Sequence, residues 1–252
     1  MINLDMNGRV AVVTGGSRGI GRAFCLDLAE QNATVAVHYR AQEQAASTVV
    51  KEIEQLKRQR ADAFGADLAD PGAADTLMRR ILDQFGRVDI LVNCAAEMTD
   101  APVETMTDEQ WDRTVEVNLS AAFRCCRACL PGMRSRQWGR IINVSSQAAY
   151  TGSADHAHYA ATKAALTGFS YSLAKEVGPY GITVNLVSPG RILTDMITER
   201  MAGREEEWLK QTPLRRFGKP EEVAAAIVFL ASDAASYVTG ASLHVNGGLL
   251  MS

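Results

Sequence analysis

Residues 10–21 read VAVVTGGSRGIG, a short apolar run that leads into a glycine-rich turn. A helical pattern follows over residues 22–31. Glycines let a backbone turn tightly and approach a pyrophosphate closely, and the start of a helix offers free N–H groups and a positive dipole end. A glycine-rich turn alone is a weak signal, but its place between a strand and a helix predicts a dinucleotide-binding turn.

Apolar runs alternate with helical patterns along the rest of the chain. The runs cover residues 10–13, 35–37, 61–64, 88–92, 141–144, 182–187 and 242–245, and the run at 61–64 is the weakest. Near-continuous apolar strands indicate a parallel sheet that is buried on both faces. Between the runs, Thr107 and Gln110 form a capping-box pattern, and Pro220 marks another helix start.

This order predicts an α/β fold: a single-domain, doubly wound parallel sheet of the Rossmann type, with about seven strands and helices on both faces. Because no linker interrupts the alternation, residues 1–252 are expected to form one domain. Ligands of such sheets bind beyond the carboxyl ends of the strands. The functional residues should therefore lie in the loops that follow strands.

Composition narrows the classes of function. The 252 residues are 47% hydrophobic and 22% charged, which is typical of a globular protein with a full core. The 26 basic and 29 acidic residues leave a net charge of −3, so neither a nucleic acid nor a membrane is indicated as a partner. No apolar run approaches the ~18–20 residues needed to span a bilayer, and the first residues do not resemble a signal peptide.

The five cysteines are an odd number and follow no export signal, which indicates free thiols in a cytoplasmic protein. Cys125 and Cys129 are four residues apart and would share a helix face, so a metal-binding or redox pair is one interpretation. Because no His or Cys partner lies at zinc-site spacing, apolar packing is the preferred interpretation, and no metal site is expected.

The spacing Thr-Gly-x-x-x-Gly-Ile-Gly closely resembles the cofactor turn of the short-chain dehydrogenase/reductase family. The resemblance extends from about Gly8 to Gly248, although Ala96 stands where the family usually has glycine. It implies a nicotinamide dinucleotide as cofactor. The cofactor residues that it implies are Gly15, Ser17, Arg18, Gly19, Ile20, Gly21, Tyr39, Arg40, Asp67, Leu68, Asn93, Ala95, Tyr159, Lys163, Pro189, Gly190, Ile192 and Thr194.

The end of the second strand bears on which dinucleotide binds. An acidic residue there would accept hydrogen bonds from the adenosine ribose and favour NAD, but this chain has Tyr39. Arg40 follows, and Arg18 lies in the glycine turn, at positions that match those of NADP-preferring family members. Two guanidinium groups can bind a 2′-phosphate through charge-assisted hydrogen bonds. NADP(H) is therefore the predicted cofactor, and the alternative is that both arginines are merely solvated.

Four residues form the predicted catalytic set. Tyr159 and Lys163 are four residues apart on one helix face, and a nearby ammonium is expected to lower the pKa of a phenol. Ser146 lies 13 residues before Tyr159, about the family interval, and its hydroxyl would stabilise the substrate oxygen. Asn118 matches the family's helix asparagine, which helps to hold a water in a proton relay. The resemblance makes Tyr159 the proton donor.

The predicted reaction is the NADPH-dependent reduction of a ketone or 3-oxoacyl carbonyl to a secondary alcohol. The general pattern looks most like the 3-oxoacyl-carrier-protein reductases, so a small-molecule or thioester carbonyl compound is the expected substrate. A sugar or polyol dehydrogenase is the alternative within the family. An NADP(H)-sensing regulator without turnover is the alternative from another class, and the intact catalytic set argues against it.

Substrate choice is expected to depend on segments that the motifs do not define. One is a helical lid at about residues 194–212, which could equally be a helix packed on its own domain or on a neighbouring subunit. The other is residues 147–158, in which His156 and His158 are candidates for substrate contact. Arg134, Arg136 and Arg140 could dock an acidic carrier protein beside the site entrance. The family usually forms dimers or tetramers through two long helices, here about residues 108–130 and 159–177.

Overall fold

The computed structural model describes residues 3–57 and 60–251, and the described part of the chain contains one parallel sheet of seven strands. The strands are β1 (Val10–Thr14), β2 (Thr34–Tyr39), β3 (Ala61–Gly65), β4 (Ile90–Asn93), β5 (Gly139–Val144), β6 (Ile182–Pro189) and β7 (Ser242–Val245). Their order across the sheet is β3-β2-β1-β4-β5-β6-β7. The predicted α/β class and doubly wound parallel sheet are confirmed, including the weak strand signal at residues 61–64.

Helices cover both faces of the sheet. They are α1 (Gly19–Glu30), α2 (Glu43–Lys57), α3 (Ala73–Phe85), α4 (Asp108–Val115), α5 (Ala121–Arg136), α6 (Ala148–Thr151), α7 (Ala157–Val177), α8 (Asp195–Met201), α9 (Glu205–Gln211) and α10 (Pro220–Ala231). The apolar sides of α1, α2 and α10 form one core, and those of α3, α5 and α7 form the other.

Side chains of each central strand alternate between the two cores. In β1, Ala11 and Val13 face the core of α1 and α10, whereas Val12 faces the core of α3 and α5. All three side chains are fully buried. Because alternate residues of a strand point to opposite faces, an uninterrupted apolar run is what a strand between two helical layers requires.

The long helical pattern after β4 differs from the expected single helix over residues 108–130. It begins as predicted, because the Thr107 side chain accepts a hydrogen bond from the Gln110 N–H at 3.3 Å, and the Thr107 N–H donates to Oε1 of Gln110 at 3.0 Å. A π-helical turn over Glu116–Ser120 then separates α4 from α5. The helix continues through Pro131 to Arg136. Such a π turn inserts a residue into the helical ladder and often marks a functional position.

The carboxyl ends of the central strands meet at one edge of the sheet. Thr14 at the end of β1 lies beside Asn93 at the end of β4, and Asn93 lies beside Asn143 in β5. The neighbouring strands β1 and β4 belong to different halves of the sheet. The boundary between them is the switch point where such folds bind ligands. Within the described residues, no helix is long and apolar enough to cross a membrane.

Candidate active site

Three segments place the predicted catalytic residues at this carboxyl edge. Ser146 follows the end of β5, Tyr159 and Lys163 lie in the first turns of α7, and Asn118 lies in the π-helical turn. Lys163 is 2% exposed and Tyr159 is 9% exposed, so both functional groups sit in a largely desolvated environment. The structure therefore brings together residues that are up to 45 positions apart in the chain, from Asn118 to Lys163.

Lys163 is held from two sides. Its Nζ donates a hydrogen bond to the Val144 carbonyl oxygen at 2.8 Å, and the Ser145 hydroxyl donates to the Lys163 carbonyl oxygen at 3.1 Å. The ammonium nitrogen lies 5.6 Å from the centre of the Tyr159 ring. Burial disfavours the charged form and lowers the pKa of Lys163 to about 8.

The pKa of Tyr159 departs from the sequence-based expectation. A neighbouring ammonium was expected to lower it, but burial raises the pKa of Tyr159 above its ordinary value, and a hydrogen bond with Ser146 opposes this only in part. The physical reason is that the Lys163 ammonium points at the Val144 carbonyl, while the phenol loses most of its hydration. In this structure Tyr159 is therefore a protonated phenol near neutral pH.

Adjacent serines have different environments. Ser145 is 2% exposed and its hydroxyl is used by the backbone of Lys163. Ser146 precedes α6, its hydroxyl accepts a hydrogen bond from the Ala148 N–H at 3.1 Å, and it also reaches Tyr159. This geometry agrees with the choice of Ser146 that the family interval suggested.

Asn118 connects the loop after β4 to the start of α7. Its Oδ1 accepts a hydrogen bond from the Glu97 N–H at 2.8 Å, and its Nδ2 donates to the Glu97 carbonyl at 3.0 Å and to the Thr162 hydroxyl at 3.2 Å. Thr162 in turn donates to the Tyr159 carbonyl at 2.8 Å. Glu97 and Thr162 were not predicted from the sequence, because no spacing links residues so far apart in the chain.

The glycines of the turn let neighbouring segments of the chain pack closely. Gly15 has a φ of +70°, and a Cβ there would lie 3.0 Å from the Ala95 Cα, which is closer than side chains pack. A Cβ on Gly21 would collide with the Gly15 carbonyl oxygen. Arg18 is the residue before α1, and its side chain does not cap the helix. The first N–H groups of α1 therefore have no hydrogen bond to a capping side chain. Free N–H groups at a helix start can bind a phosphate, and the dinucleotide-binding role of the turn stays a prediction.

A buried histidine that the sequence did not single out supports this turn. The Gly15 N–H donates to Nδ1 of His38 at 3.0 Å, and Nε2 of His38 lies 3.0 Å from the Ala66 carbonyl oxygen. Because Nδ1 accepts, the proton of the neutral ring is on Nε2, from which it is donated to Ala66. Burial lowers the pKa of His38, although the bond to Ala66 and the charge of Asp67 oppose the shift.

Several predicted cofactor residues line one cavity at the switch point. The cavity is small, and its lining includes Leu68, Asn93, Ala95 and Asn118. The Thr14 hydroxyl accepts from the N–H groups of Cys94 and Ala95 at 2.9 and 3.0 Å, which fixes the loop after β4 against the end of β1. The Asn93 side chain donates to Asn143 at 2.8 Å.

The loop after β6 forms the other wall of the edge. A Cβ on Gly190 would lie 2.7 Å from the Asn246 Cα, so the chain passes close to the loop after β7. Ile192 is 3% exposed and bridges to Gly218. Thr194 precedes α8, and its hydroxyl donates to the Ile192 carbonyl at 3.4 Å. The predicted lid segment thus contains two short helices, α8 and α9.

The candidate substrate-contacting histidines are both engaged with neighbouring residues. Nε2 of His156 lies 2.7 Å from Oδ1 of Asp100, and its Nδ1 lies 3.0 Å from the Ser153 hydroxyl. His158 is fully buried, and its Nε2 lies 3.2 Å from the Thr99 hydroxyl. His156 is therefore paired with Asp100, and His158 is buried beside Thr99.

The arginines suggested as docking residues for a carrier protein lie at the amino edge of the sheet, opposite the predicted catalytic residues. Arg140 is the second residue of β5, at the amino edge of the sheet, and is 2% exposed with a bond to Asp233 at 3.2 Å. Arg136 donates to the Val88 carbonyl at 2.6 Å, and Arg134 pairs with Glu176 at 2.6 Å. Because the predicted catalytic residues lie at the carboxyl edge, these arginines do not frame the site entrance of their own chain.

The cysteines near the start of α5 belong to the core. Cys125, Cys126 and Cys129 are each at most 2% exposed, and burial raises the pKa of each thiol. All five cysteines are free. Across residues 3–57 and 60–251, no group of three or more His, Cys, Asp or Glu side chains is arranged to hold a metal ion.

The chain is similar to known reductases over almost its whole length. A family model described as enoyl-(acyl carrier protein) reductase matches residues 15–250. The chain is 41% identical to the 3-oxoacyl-[acyl-carrier-protein] reductase FabG of Staphylococcus aureus over 243 residues, which cover 96% of this chain and 98% of that protein. It is also 41% identical to the protein of that name from Salmonella typhimurium over 248 residues, which cover 98% and 100% of the two chains.

Solved structures give the same result for the fold. A candidate NAD(P)-dependent gluconate 5-dehydrogenase from Beutenbergia cavernae, solved with bound NADP at low occupancy, matches with a TM-score of 0.94 at 36% identity, covering 100% of both chains. A candidate short-chain alcohol dehydrogenase from Sinorhizobium meliloti matches with a TM-score of 0.93 at 35% identity, covering 98% of each chain.

Proposed function

The chain belongs to the short-chain dehydrogenase/reductase family of oxidoreductases, and from this premise we propose that it reduces a ketone or 3-oxoacyl carbonyl to a secondary alcohol with NADPH. The observation that carries the proposal is the buried Tyr159 beside Ser146 and Lys163, at the same sheet edge as the glycine turn. The 41% identity to 3-oxoacyl-carrier-protein reductases supports the substrate class.

The proposed cofactor is NADP(H), bound across the glycine turn with its 2′-phosphate near Arg18 and Arg40. Both arginine side chains are more than half exposed at this edge and can reach an anion. The relative from Beutenbergia cavernae with bound NADP supports this assignment. When bound, the nicotinamide supplies the hydride for the carbonyl carbon.

In the proposed mechanism Tyr159 donates a proton to the carbonyl oxygen. Its raised pKa suits this direction, because the phenol stays protonated until charge develops on the substrate oxygen. Ser146, which already bonds to Tyr159, holds the same oxygen through its hydroxyl. The low exposure of Tyr159 strengthens both interactions, since little water competes for them.

Lys163 and Asn118 support the proton donor. One of the three ammonium donors of Lys163 is used by Val144, which leaves two for the ribose hydroxyls of the cofactor. The side-chain amide of Asn118 is already used by Glu97 and Thr162. We therefore assign its part in the proton relay to the backbone of the π-helical turn, and its side chain to holding the turn against α7.

Replacement of Tyr159 by Phe tests the mechanism. We expect Tyr159→Phe to lower kcat by about 100-fold or more, because general acid catalysis contributes about that much, while the affinity for NADPH is retained. The measurements are NADPH consumption and NADPH binding by fluorescence. Tyr237→Phe is the control, because Tyr237 is fully exposed and lies outside the catalytic helix, between α10 and β7. Substantial residual turnover in Tyr159→Phe would contradict the assignment.

The substrate class is tested by following NADPH and NADH consumption with acetoacetyl thioesters, diketones, quinones and sugars. We expect the thioesters or simple ketones to be the best substrates, with NADPH preferred. Faster turnover with NADH would contradict the roles given to Arg18 and Arg40. Preference for sugars would favour the polyol dehydrogenase alternative, and turnover of none of these compounds would favour a regulator.

The proposal includes a lid, an assembly and a compartment. We propose that residues 194–212 act as the substrate lid, with α8 and α9 bordering the site.

We propose a homodimer or homotetramer built on the outer faces of α5 and α7, where Phe123 and Tyr171 are more than two-fifths exposed. The free thiols suit the cytoplasm. Light scattering on the purified protein measures the assembly, and a monomer at micromolar concentration would contradict it.

A further inference from the structure

A network of four charged side chains lies beside the proposed 2′-phosphate position. Nη1 of Arg40 contacts Oε2 of Glu97 at 3.0 Å. The Nε of Arg113 donates to both carboxylate oxygens of Glu97, at 3.1 and 3.0 Å, and its Nη2 lies 3.0 Å from Oδ2 of Asp67. The side chain of Glu97 is 20% exposed, compared with 55% for Arg40, so the carboxylate is the inner member of this pair.

The network joins two residues from the predicted cofactor set. Arg40 is assigned to the 2′-phosphate and Asp67 to the adenine, and Glu97 connects them through Arg113. Contacts with Ala69 and Arg113 hold the pKa of Asp67 below its ordinary value despite partial burial. Two guanidinium groups and two carboxylates give the four side chains no net charge. A 2′-phosphate would therefore meet an arginine whose charge is already compensated.

We propose that Glu97 sets the strength of the NADP preference by competing with the 2′-phosphate for Arg40, an inference that rests on the proposed NADP(H) function. A 2′-phosphate carries close to two negative charges, and to bind Arg40 it must share the guanidinium with Glu97 and approach that carboxylate. NAD carries no phosphate there and meets no such competition. The preference for NADP over NAD depends on the difference between the affinities for the two cofactors. Glu97 reduces this difference because it weakens the binding of NADP.

The position of Glu97 is set by its backbone as well as its side chain. Asn118 binds both the N–H and the carbonyl group of Glu97, at 2.8 and 3.0 Å. A change of Glu97 to Gln keeps this backbone pair and the size of the side chain, while it removes the charge and one of the two acceptor oxygens. The substitution therefore separates the electrostatic role of Glu97 from its part in the catalytic edge.

The test is the binding of adenosine 2′,5′-bisphosphate and of AMP to the whole protein, measured by calorimetry. We expect Glu97→Gln to tighten the bisphosphate about two- to five-fold, as for a partly exposed ion pair, and to leave the AMP affinity unchanged. Glu176→Gln is the charge-matched control, because Glu176 pairs with Arg134 at the opposite edge of the sheet. An equal change for both nucleotides, or weaker bisphosphate binding, would overturn the proposal.

A second variant separates this proposal from the cofactor assignment. Arg40→Gln should weaken binding of the bisphosphate but not of AMP, and in that background Glu97→Gln should lose most of its effect. If Arg40→Gln changes neither affinity, the assignment of Arg40 to the 2′-phosphate fails. If Glu97→Gln still tightens the bisphosphate by the same factor without Arg40, competition for Arg40 is excluded whatever the cofactor.

Discussion

A buried imidazole ties the glycine turn to the neighbouring strand. His38 accepts a hydrogen bond from the Gly15 N–H and lies 3.0 Å from the Ala66 carbonyl, so the ring must be neutral to serve both partners. A protonated ring has no acceptor nitrogen and would leave the Gly15 N–H unpaired. Burial is the largest cause of the lowered pKa of His38, which agrees with this geometry.

The neutral state of His38 should make the stability of the protein depend on pH. Because the pKa of His38 is lower in the folded state than its ordinary value of 6.5, the unfolded chain binds more protons below that pH. The contribution of His38 to the free energy of unfolding should therefore be fully present above about pH 6.5. It should be lost as the pH is lowered. His38→Gln should be less stable at neutral pH but show a weaker loss on acidification, measured by urea unfolding across the pH range. The lowered pKa of buried His158 leaves a residual slope in the variant. An unchanged slope would contradict this role of His38.

Single residues also mark the limit of the sequence-based predictions. Ser146, Tyr159 and Lys163 were found because their order and spacing match a family pattern. Glu97 and Arg113 were not found, because their pairing depends on a loop and a helix that meet only in the fold. The raised pKa of Tyr159 was missed for a related reason, since burial is a property of the packed structure and not of the Tyr-x-x-x-Lys spacing.

At the scale of elements, one carboxylate joins three segments that frame the substrate region. Asp100 follows β4, and its Oδ1 lies 2.7 Å from Nε2 of His156, just before α7, and 3.2 Å from Nε of Arg200 in α8. These two hydrogen bonds hold the pKa of Asp100 below its ordinary value. Arg200 also donates to the Met98 carbonyl at 3.0 Å. The contacts of Arg200 with Asp100 and Met98 hold α8 against the loop after β4.

We expect Asp100→Asn to loosen the α8–α9 segment without unfolding the sheet, because it removes the charge that binds Arg200. Cleavage of residues 195–211 by a protease should become about two- to five-fold faster, since exposed ion pairs contribute little individually. Asp155→Asn is the control, because Asp155 is an exposed acid in the loop that carries His156. Equal cleavage rates in the two variants would exclude the fastening role.

The helix that carries Asn118 illustrates what a periodic pattern can predict. Its beginning was predicted, because Thr107 and Gln110 form a local signal within one turn. The π-helical turn at Glu116–Ser120 was not, because it arises where the Asn118 side chain binds Glu97 and Thr162. The helix also continues past Pro131. Local signals therefore set where elements begin, whereas tertiary contacts set their irregularities.

At the scale of the whole molecule, the two edges of the sheet have separate roles. The carboxyl edge carries the glycine turn and the proposed catalytic residues, and the amino edge carries structural ion pairs. Arg140 is buried there against Asp233, and Trp138 stacks between Arg9 and Arg140, at 3.7 and 4.4 Å from the ring centre. The hydrophobic pattern predicted the sheet and the edge of the site, but it could not tell which arginines lie at which edge.

We expect Arg134→Gln to leave the KM for acetoacetyl thioesters unchanged, whether the acyl group is carried by coenzyme A or by an acyl carrier protein. The reason is that Arg134 lies at the end of α5, where it pairs with Glu176 and cannot reach the catalytic edge. Steady-state kinetics with both thioesters measures this. A higher KM for the carrier-linked substrate alone would place docking at the amino edge and contradict the prediction.

Strand order also bears on how the chain folds while it is being synthesised. β1 emerges from the ribosome first, β2 and β3 extend the sheet on one side of it, and β4 to β7 then extend the other side in turn. No strand of this sheet has to insert between two strands that are already paired. Domains fold as they are made from the amino terminus. The nascent sheet can therefore grow by addition at its edges, and the carboxyl edge that binds ligands is completed only when the last third of the chain has been released.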